Sequence, residues 1–239
     1  MSKIALITGA NKGIGLETAR QLARDHGFTV LLGARDSKRG TEAMDELRHE
    51  GLDAHCLHLD PTDAASIEAA ALLVSTNYGV LDVLVNNAGI LLEADSAPPA
   101  QVSMQTLRDT YEVNVFAVHA VTQAFWQLME QASAARLVNV TSWVGSLSLH
   151  SDGTFGDYKP IALSSSKAAL NMLTVHYAWQ WRHTPHRANA AHPGNVSTTG
   201  NPHGEISVEE GAKTSVELAT IGANGPNGTF SHLEQMLPW

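Results

Sequence analysis

The residues Gly9-Ala10-Asn11-Lys12-Gly13-Ile14-Gly15 carry the strongest chemical signal in the chain. Glycine lets a turn tighten and lets a ligand approach the backbone, while free N–H groups at the start of a helix face any anion seated there. Such a loop suits a diphosphate. The spacing is Gly-x-x-x-Gly-x-Gly rather than the commoner Gly-x-Gly-x-x-Gly. It nevertheless lies between an apolar strand and a helix opening near Gly13, the context in which a glycine-rich turn reads as a dinucleotide seat. Gly9, Asn11, Lys12, Gly13, Ile14 and Gly15 are therefore candidate cofactor-binding residues.

Which dinucleotide is a question of charge. An acidic side chain about 20 residues further on would grip the ribose 2′-OH of NAD(H). Twenty positions after Gly15 stands Arg35. A guanidinium forks onto a 2′-phosphate that a carboxylate would repel, and Lys12 adds a second cation. These two residues favour NADP(H) over NAD(H). Asp36, one position on, pulls the other way.

Further residues fall into a known order. Thr8 to Gly15, Asn86-Asn87-Ala88-Gly89, Asn114, Ser142, Lys167 and Pro193-Gly194 resemble the short-chain dehydrogenase/reductase family over nearly the whole chain. The run Asn139-Val140-Thr141-Ser142-Trp143-Val144-Gly145, the stretch from Ser207 to Gly211 and the end at Trp239 are most similar to its carbonyl-reductase branch. The resemblance implies that Asn87, Ala88 and Gly89 wall the cofactor, that Asp60 lies near the adenine, and that Pro193, Gly194 and Val196 lie on the nicotinamide side. Asn114 would kink a long helix and hold a water in a proton relay. Ser142 would hydrogen-bond a substrate carbonyl, and Lys167 would bind the nicotinamide ribose. A tyrosine four residues before that lysine would protonate the substrate oxygen; here Leu163 occupies its place.

The loss is chemically large. Residues four apart share a helix face, so a phenol there would sit beside the Lys167 ammonium, which lowers a phenol pKa of about 10 toward working pH. Leucine offers no proton. A positioned general acid is worth about 10²–10⁴ in rate, or roughly 3–5 kcal/mol of barrier. Tyr158 is one possible substitute, but Pro160 keeps the segment before it extended and off the helix, and covering apolar surface is its simpler role. Ser164, one residue along the helix, points about 100° away. His150 and His192 can carry a proton near neutral pH, with His192 the better placed, but a plain polar role is the simpler reading of both. The expectation is an oxidoreductase acting on a ketone, aldehyde or alcohol with weakened or altered catalysis. The alternative is a cofactor-binding protein with a lyase, cyclase, isomerase or regulatory role.

The elements that position these residues follow from apolar periodicity. Strands are expected over residues 3–8, 29–33, 54–59, 81–85 and 137–141, up to His192, and over 228–232. Helices are expected from about Gly13 to Gly27, over 37–50, from Asp63 to about Tyr78, over 104–131, over 161–182 and over 208–221, with a loop over 143–160. Strand–helix alternation predicts an α/β doubly wound Rossmann fold, a parallel seven-stranded sheet with helices on both faces, in a single domain over residues 1–239.

Composition sets the outer limits. With 239 residues, 44% of them apolar and 16% charged, the chain is globular. A net charge of −9 disfavours nucleic acid or an anionic membrane as partner. The one cysteine, Cys56, excludes an internal disulfide and is expected to be a structural thiol. No apolar run approaches the roughly 20 residues of a membrane helix, and no leader precedes the first strand, so a cytoplasmic protein is expected. No metal site is expected: His183 and His186 have no acidic or thiol companion, and His55 and His58 point to opposite strand faces. The helices around Phe116 to Trp126 and Leu170 to Tyr177 are apolar on both sides, and the resemblance implies that they pack against a partner subunit, so a homodimer is expected, although related carbonyl reductases include monomers.

Overall fold

The computed structural model describes residues 2–93 and 98–239. Eight strands form one sheet in the order β3-β2-β1-β4-β5-β6-β7-β8. The first five are β1 (Ile4–Thr8), β2 (Thr29–Ala34), β3 (Ala54–His58), β4 (Val83–Asn86) and β5 (Arg136–Val140); β6 (Arg187–Ala191), β7 (Phe230–His232) and β8 (Gln235–Met236) follow. Seven are parallel, as expected of runs such as Ile-Ala-Leu-Ile-Thr in β1, buried along their whole length.

The eighth strand corrects the seven-stranded expectation. β8 runs antiparallel to β7, with Ser231 opposite Met236 and His232 opposite Gln235. The connecting residues are Leu233 and Glu234, and Leu233 takes a left-handed φ of 51°. Short hairpins announce themselves through Asn, Asp or Gly at such positions. A Leu-Glu turn carries no such signal.

Six long helices sandwich the sheet: α1 (Gly13–His26), α2 (Ser37–His49) and α8 (Val208–Thr220) on one face, and α3 (Ala64–Asn77), α5 (Ala117–Glu130) and α7 (Ile161–Gln180) on the other. Alternate residues of each strand feed the two layers. Leu6 and Leu84 meet Phe125 and Trp181, while Ile7 and Val85 meet Leu22 and Val216. Asp36, Asp63 and Ser207 cap α2, α3 and α8 with their side chains. The Asp36 carboxylate accepts from Arg39 N–H at 3.1 Å.

Two local readings differ from the expectation. The long helix over 104–131 is two helices, α4 (Met104–Tyr111) and α5, joined by a π-turn over Glu112–Phe116 that contains Asn114. Widened turns of this kind interrupt helices most often at functional sites. The loop over 143–160 contains a 3-10 turn, Trp143–Gly145, and the short helix α6 (Leu147–Ser151). Ser146 nucleates α6 by accepting from Leu149 N–H at 3.2 Å. No helix among the described residues is long and apolar enough to cross a membrane.

Candidate active site

Strand order turns back between β1 and β4, and ligands of open α/β sheets sit outside the strand ends at such a point. A cavity of about 390 Å³ opens there, lined by Gly9, Asn11, Lys12, Gly13, Ile14, Gly15, Arg35, Asp60 and the wall Asn87-Ala88-Gly89. Eleven residues selected on sequence grounds thus meet in one space. Gly13 holds a φ of 57°, a conformation that costs a side chain but not glycine. A Cβ on Gly15 would lie 2.5 Å from Asn87 Nδ2, so only glycine lets the loop seat against the end of β4.

Thr8 fixes that contact. Its Oγ1 accepts from the N–H groups of both Asn87 and Ala88 at 3.0 Å, and Asn87 Nδ2 donates back to Thr8 O at 2.9 Å. Charge in the cavity is mixed but placed. Lys12 and Arg35 supply the cations. Burial alone would push the Asp60 carboxyl up. The backbone N–H and hydroxyl of Thr62, with the charge of Arg35, outweigh that effect and hold it below its usual range. A neighbouring groove is lined by Lys12 and Arg39; Arg39 carries no sequence signal beyond being a surface cation.

Lys167 and Asn114 adjoin the cavity through Gly89. A Cβ on Gly89 would lie 3.3 Å from Asn114 Oδ1 and 3.4 Å from Lys167 Nζ. Asn114 is fully buried; its Oδ1 accepts from Ile90 N–H at 2.9 Å, and its Nδ2 donates to Ile90 O at 3.0 Å and Ser166 Oγ at 3.1 Å. The Lys167 ammonium donates to Val140 O at 2.8 Å, and burial lowers its pKa to about 8. Ser142, two residues beyond the end of β5, is half-buried and opens the 3-10 turn.

Other selected residues lie apart from the cavity lining. Gly194 has a φ of 89° beside Ile206 and His232, and Pro193 precedes it. Val196 is buried, and a Cβ on Gly211 of α8 would come 2.5 Å from its side chain. Tyr158 is half-buried and lines neither this cavity nor its neighbours. Cys56 is half-buried, with its pKa raised by burial.

The two histidines that could carry a proton serve other contacts. His192 is buried between the rings of Trp143 and His232, with centroids at 5.4 and 5.0 Å. Burial first, and His232 second, lower its pKa to about 3, so it is neutral near pH 7 and is no cationic acid. His150 is tied by its Nε2 to Val144 O at 2.8 Å, and it lines a different cavity.

Sequence reasoning missed Glu93. It is buried, and its carboxylate accepts from Leu163 N–H at 2.7 Å and Ala162 N–H at 3.1 Å. Helix α7 has no side-chain cap of its own, since Pro160 stands at the N-cap. Glu93 supplies one from 70 residues away, a distance at which no local pattern announces a cap.

The chain is similar to known proteins along most of its length. The family model described as short chain dehydrogenase matches residues 3–204. Short-chain dehydrogenase/reductase ATR10 of Stachybotrys chlorohalonatus is 36% identical across 96% of this chain and 87% of its own length. The NADPH carbonyl reductase 1 of Bos taurus is 31% identical across 99% and 98%. A solved gluconate 5-dehydrogenase from Burkholderia cenocepacia, in complex with NADP and tartrate, superposes with a TM-score of 0.82 at 26% identity, covering 98% of this chain and 94% of its own.

Proposed function

The chain belongs to the short-chain dehydrogenase family, and we propose that it binds NADP(H) in the cavity at the strand-order reversal and handles a small carbonyl or alcohol with altered proton chemistry. One observation carries the cofactor choice. Lys12 and Arg35 share the cavity with the glycine loop, whereas Asp36, the carboxylate that would oppose a 2′-phosphate, is not among the residues lining it and pairs with Arg39. NADPH in the name of the bovine relative and NADP in the Burkholderia complex support the same reading.

The residues divide the work. The loop N–H groups hold the diphosphate, Lys12 and Arg35 the 2′-phosphate, and Asp60 the adenine edge. Asn87 to Gly89 form the wall, with Pro193, Gly194 and Val196 shaping the nicotinamide side. Lys167 Nζ, beside Gly89, binds the nicotinamide ribose, while Asn114 orders the relay behind it. Ser142 Oγ donates to the substrate oxygen. When bound, NADPH supplies a hydride. Leu163 supplies no proton, so reduction must draw one from water or from Tyr158.

A second reading rests on Leu163 itself. A site that keeps Ser142, Asn114 and Lys167 but lacks the acid can polarise a carbonyl without completing a reduction, which suits elimination, cyclisation, isomerisation or a purely regulatory role. Single-turnover NADPH oxidation with aldehydes and ketones, in wild type, Leu163→Tyr and Tyr158→Phe, separates the two. Loss of wild-type activity in Tyr158→Phe supports reduction through Tyr158; activity appearing only in Leu163→Tyr supports the second reading. The cytoplasm is the compartment we assign. Exposed Met172 and Trp179 on α7, with Phe116, are where a second copy would pack.

A further inference from the structure

The outer side of α7 carries a seam. Ile161, Ser165, Ala168, Met172, Val175 and Trp179 recur at alternating four- and three-residue steps, the spacing of a coiled-coil contact line. None of the six is buried, and Trp179 is 63% exposed. The helix has one Lys, Arg, Asp or Glu side chain, Lys167, and it is buried on another side. In a chain of net charge −9, an uncharged stripe about 27 Å long is a surface on which two copies approach without like-charge repulsion.

The seam holds a hole near one end. Ile161, Ser164, Ser165 and Ala168 line a cavity of about 300 Å³, together with Val144 and Leu147 of the turn that follows Ser142. Four residues at i, i+3, i+4 and i+7 form the socket that a knob from a facing helix enters. The two serines offer it no free hydroxyl, because Ser165 Oγ donates to Ile161 O at 2.6 Å and Ser164 Oγ is buried. Lys159, also in the lining, is turned toward His150, its Nζ donating to Nδ1 at 3.4 Å. What remains is an apolar socket.

A knob stands near the other end. Trp179, five turns along from Ile161, projects from the same line of the helix. The Arg182 guanidinium stacks 3.7 Å from its ring centroid, covering one face of the indole and leaving the other open. Trp179 lies about 21 Å along the helix from Ser165, so it cannot reach the socket of its own chain. A second copy can. A twofold axis at Met172 lays each position seven residues after it against the position seven residues before it, so Trp179 faces Ser165 in both directions.

We propose that two copies of this chain pair antiparallel along α7, the Trp179 indole of each filling the other's cavity and packing on the turn that follows its Ser142. The proposal rests on the reading that a second copy covers this side of α7, and adds to it a register and an anchor. A tryptophan buried in a fitting pocket is among the strongest anchors of association.

Sedimentation equilibrium of the full chain should show a dimer. Trp179→Ala should raise its dissociation constant at least about 100-fold, since the twofold removes two anchors at once. Ala168→Phe, which fills the socket from its own side and leaves Trp179 in place, should weaken the dimer as well; thermal melts establish that both variants fold. Cysteine cross-linking under mild oxidation reads the register, with wild type as the blank for Cys56. Met172→Cys should link to its counterpart on the axis, whereas Ser165→Cys, about 21 Å from its own counterpart, should not. Amide exchange over residues 143–147 should slow on dimerisation and quicken again in Trp179→Ala. A dimer that survives Trp179→Ala, or that links through Ser165→Cys and not Met172→Cys, would overturn the proposal and leave the second-copy reading standing. A chain that sediments only as a monomer would overturn both.

Discussion

Glu93 Oε1 accepts the N–H of Leu163 at 2.7 Å, joining the loop after β4 to the first turn of α7. The opposite oxygen takes the Ala162 N–H, so, with a proline at the N-cap, one carboxylate satisfies two of the three free donors at that helix start and places negative charge at the positive end of its dipole. The same loop begins at Gly89, against Asn114 and Lys167. The cavity wall at Gly89 and the start of α7 are thereby joined through the short segment that ends at Glu93.

Removing that carboxylate leaves two N–H groups unpaired. Glu93→Ala should lower stability by about 1–3 kcal/mol, the cost of a lost cap and stranded buried donors. Urea unfolding measures it, and a change within about 0.3 kcal/mol would show that the contact contributes nothing.

On the proposed reading, a phenol at position 163 supplies the proton that leucine does not. Leu163→Tyr should raise the single-turnover rate of NADPH oxidation by about 10²–10⁴ with a reducible ketone, because the new hydroxyl stands one helical turn before Lys167. An unchanged rate would mean that proton supply does not limit the reaction.

Burial of Lys167 makes stability depend on alkaline pH. Its folded pKa of about 8 is below the ordinary 10.5, so between these values the unfolded chain binds more protons and stability rises with pH. The cofactor-free protein should gain up to about 3 kcal/mol between pH 8 and 10.5 relative to Lys167→Met, in which no group titrates at this position. Parallel pH profiles for the two proteins would contradict the buried ammonium.

His192 acts at the other end of the scale. Its folded pKa of about 3, against 6.5, gives stability that is complete above pH 6.5 and is lost as pH falls toward 3. His192→Gln should flatten that acid limb by as much as about 5 kcal/mol in chemical unfolding at stepped pH. An acid limb as steep in the variant would place the sensitivity elsewhere.

Much of this site is legible in the chain because its signals are local. The glycine loop, the strand before it and Arg35 twenty residues on are set by chain geometry, and they meet in one cavity. Helix caps at Asp63 and Ser207 are legible for the same reason. What escaped is non-local. Glu93 caps a helix far along the chain, Thr8 braces Asn87 across two strands, and the neutrality of His192 depends on burial against Trp143 and His232. The eighth strand was missed because its turn is Leu-Glu.

The central claim is tested most directly by calorimetric titration of the purified chain with NADPH and, separately, NADH. One NADPH per chain is predicted, bound at least about tenfold more tightly than NADH, with that preference collapsing in Arg35→Ala as the phosphate loses its guanidinium. Equal affinity for the two nucleotides would contradict the assigned roles of Lys12 and Arg35. Absence of heat with either would contradict the cavity as a dinucleotide site.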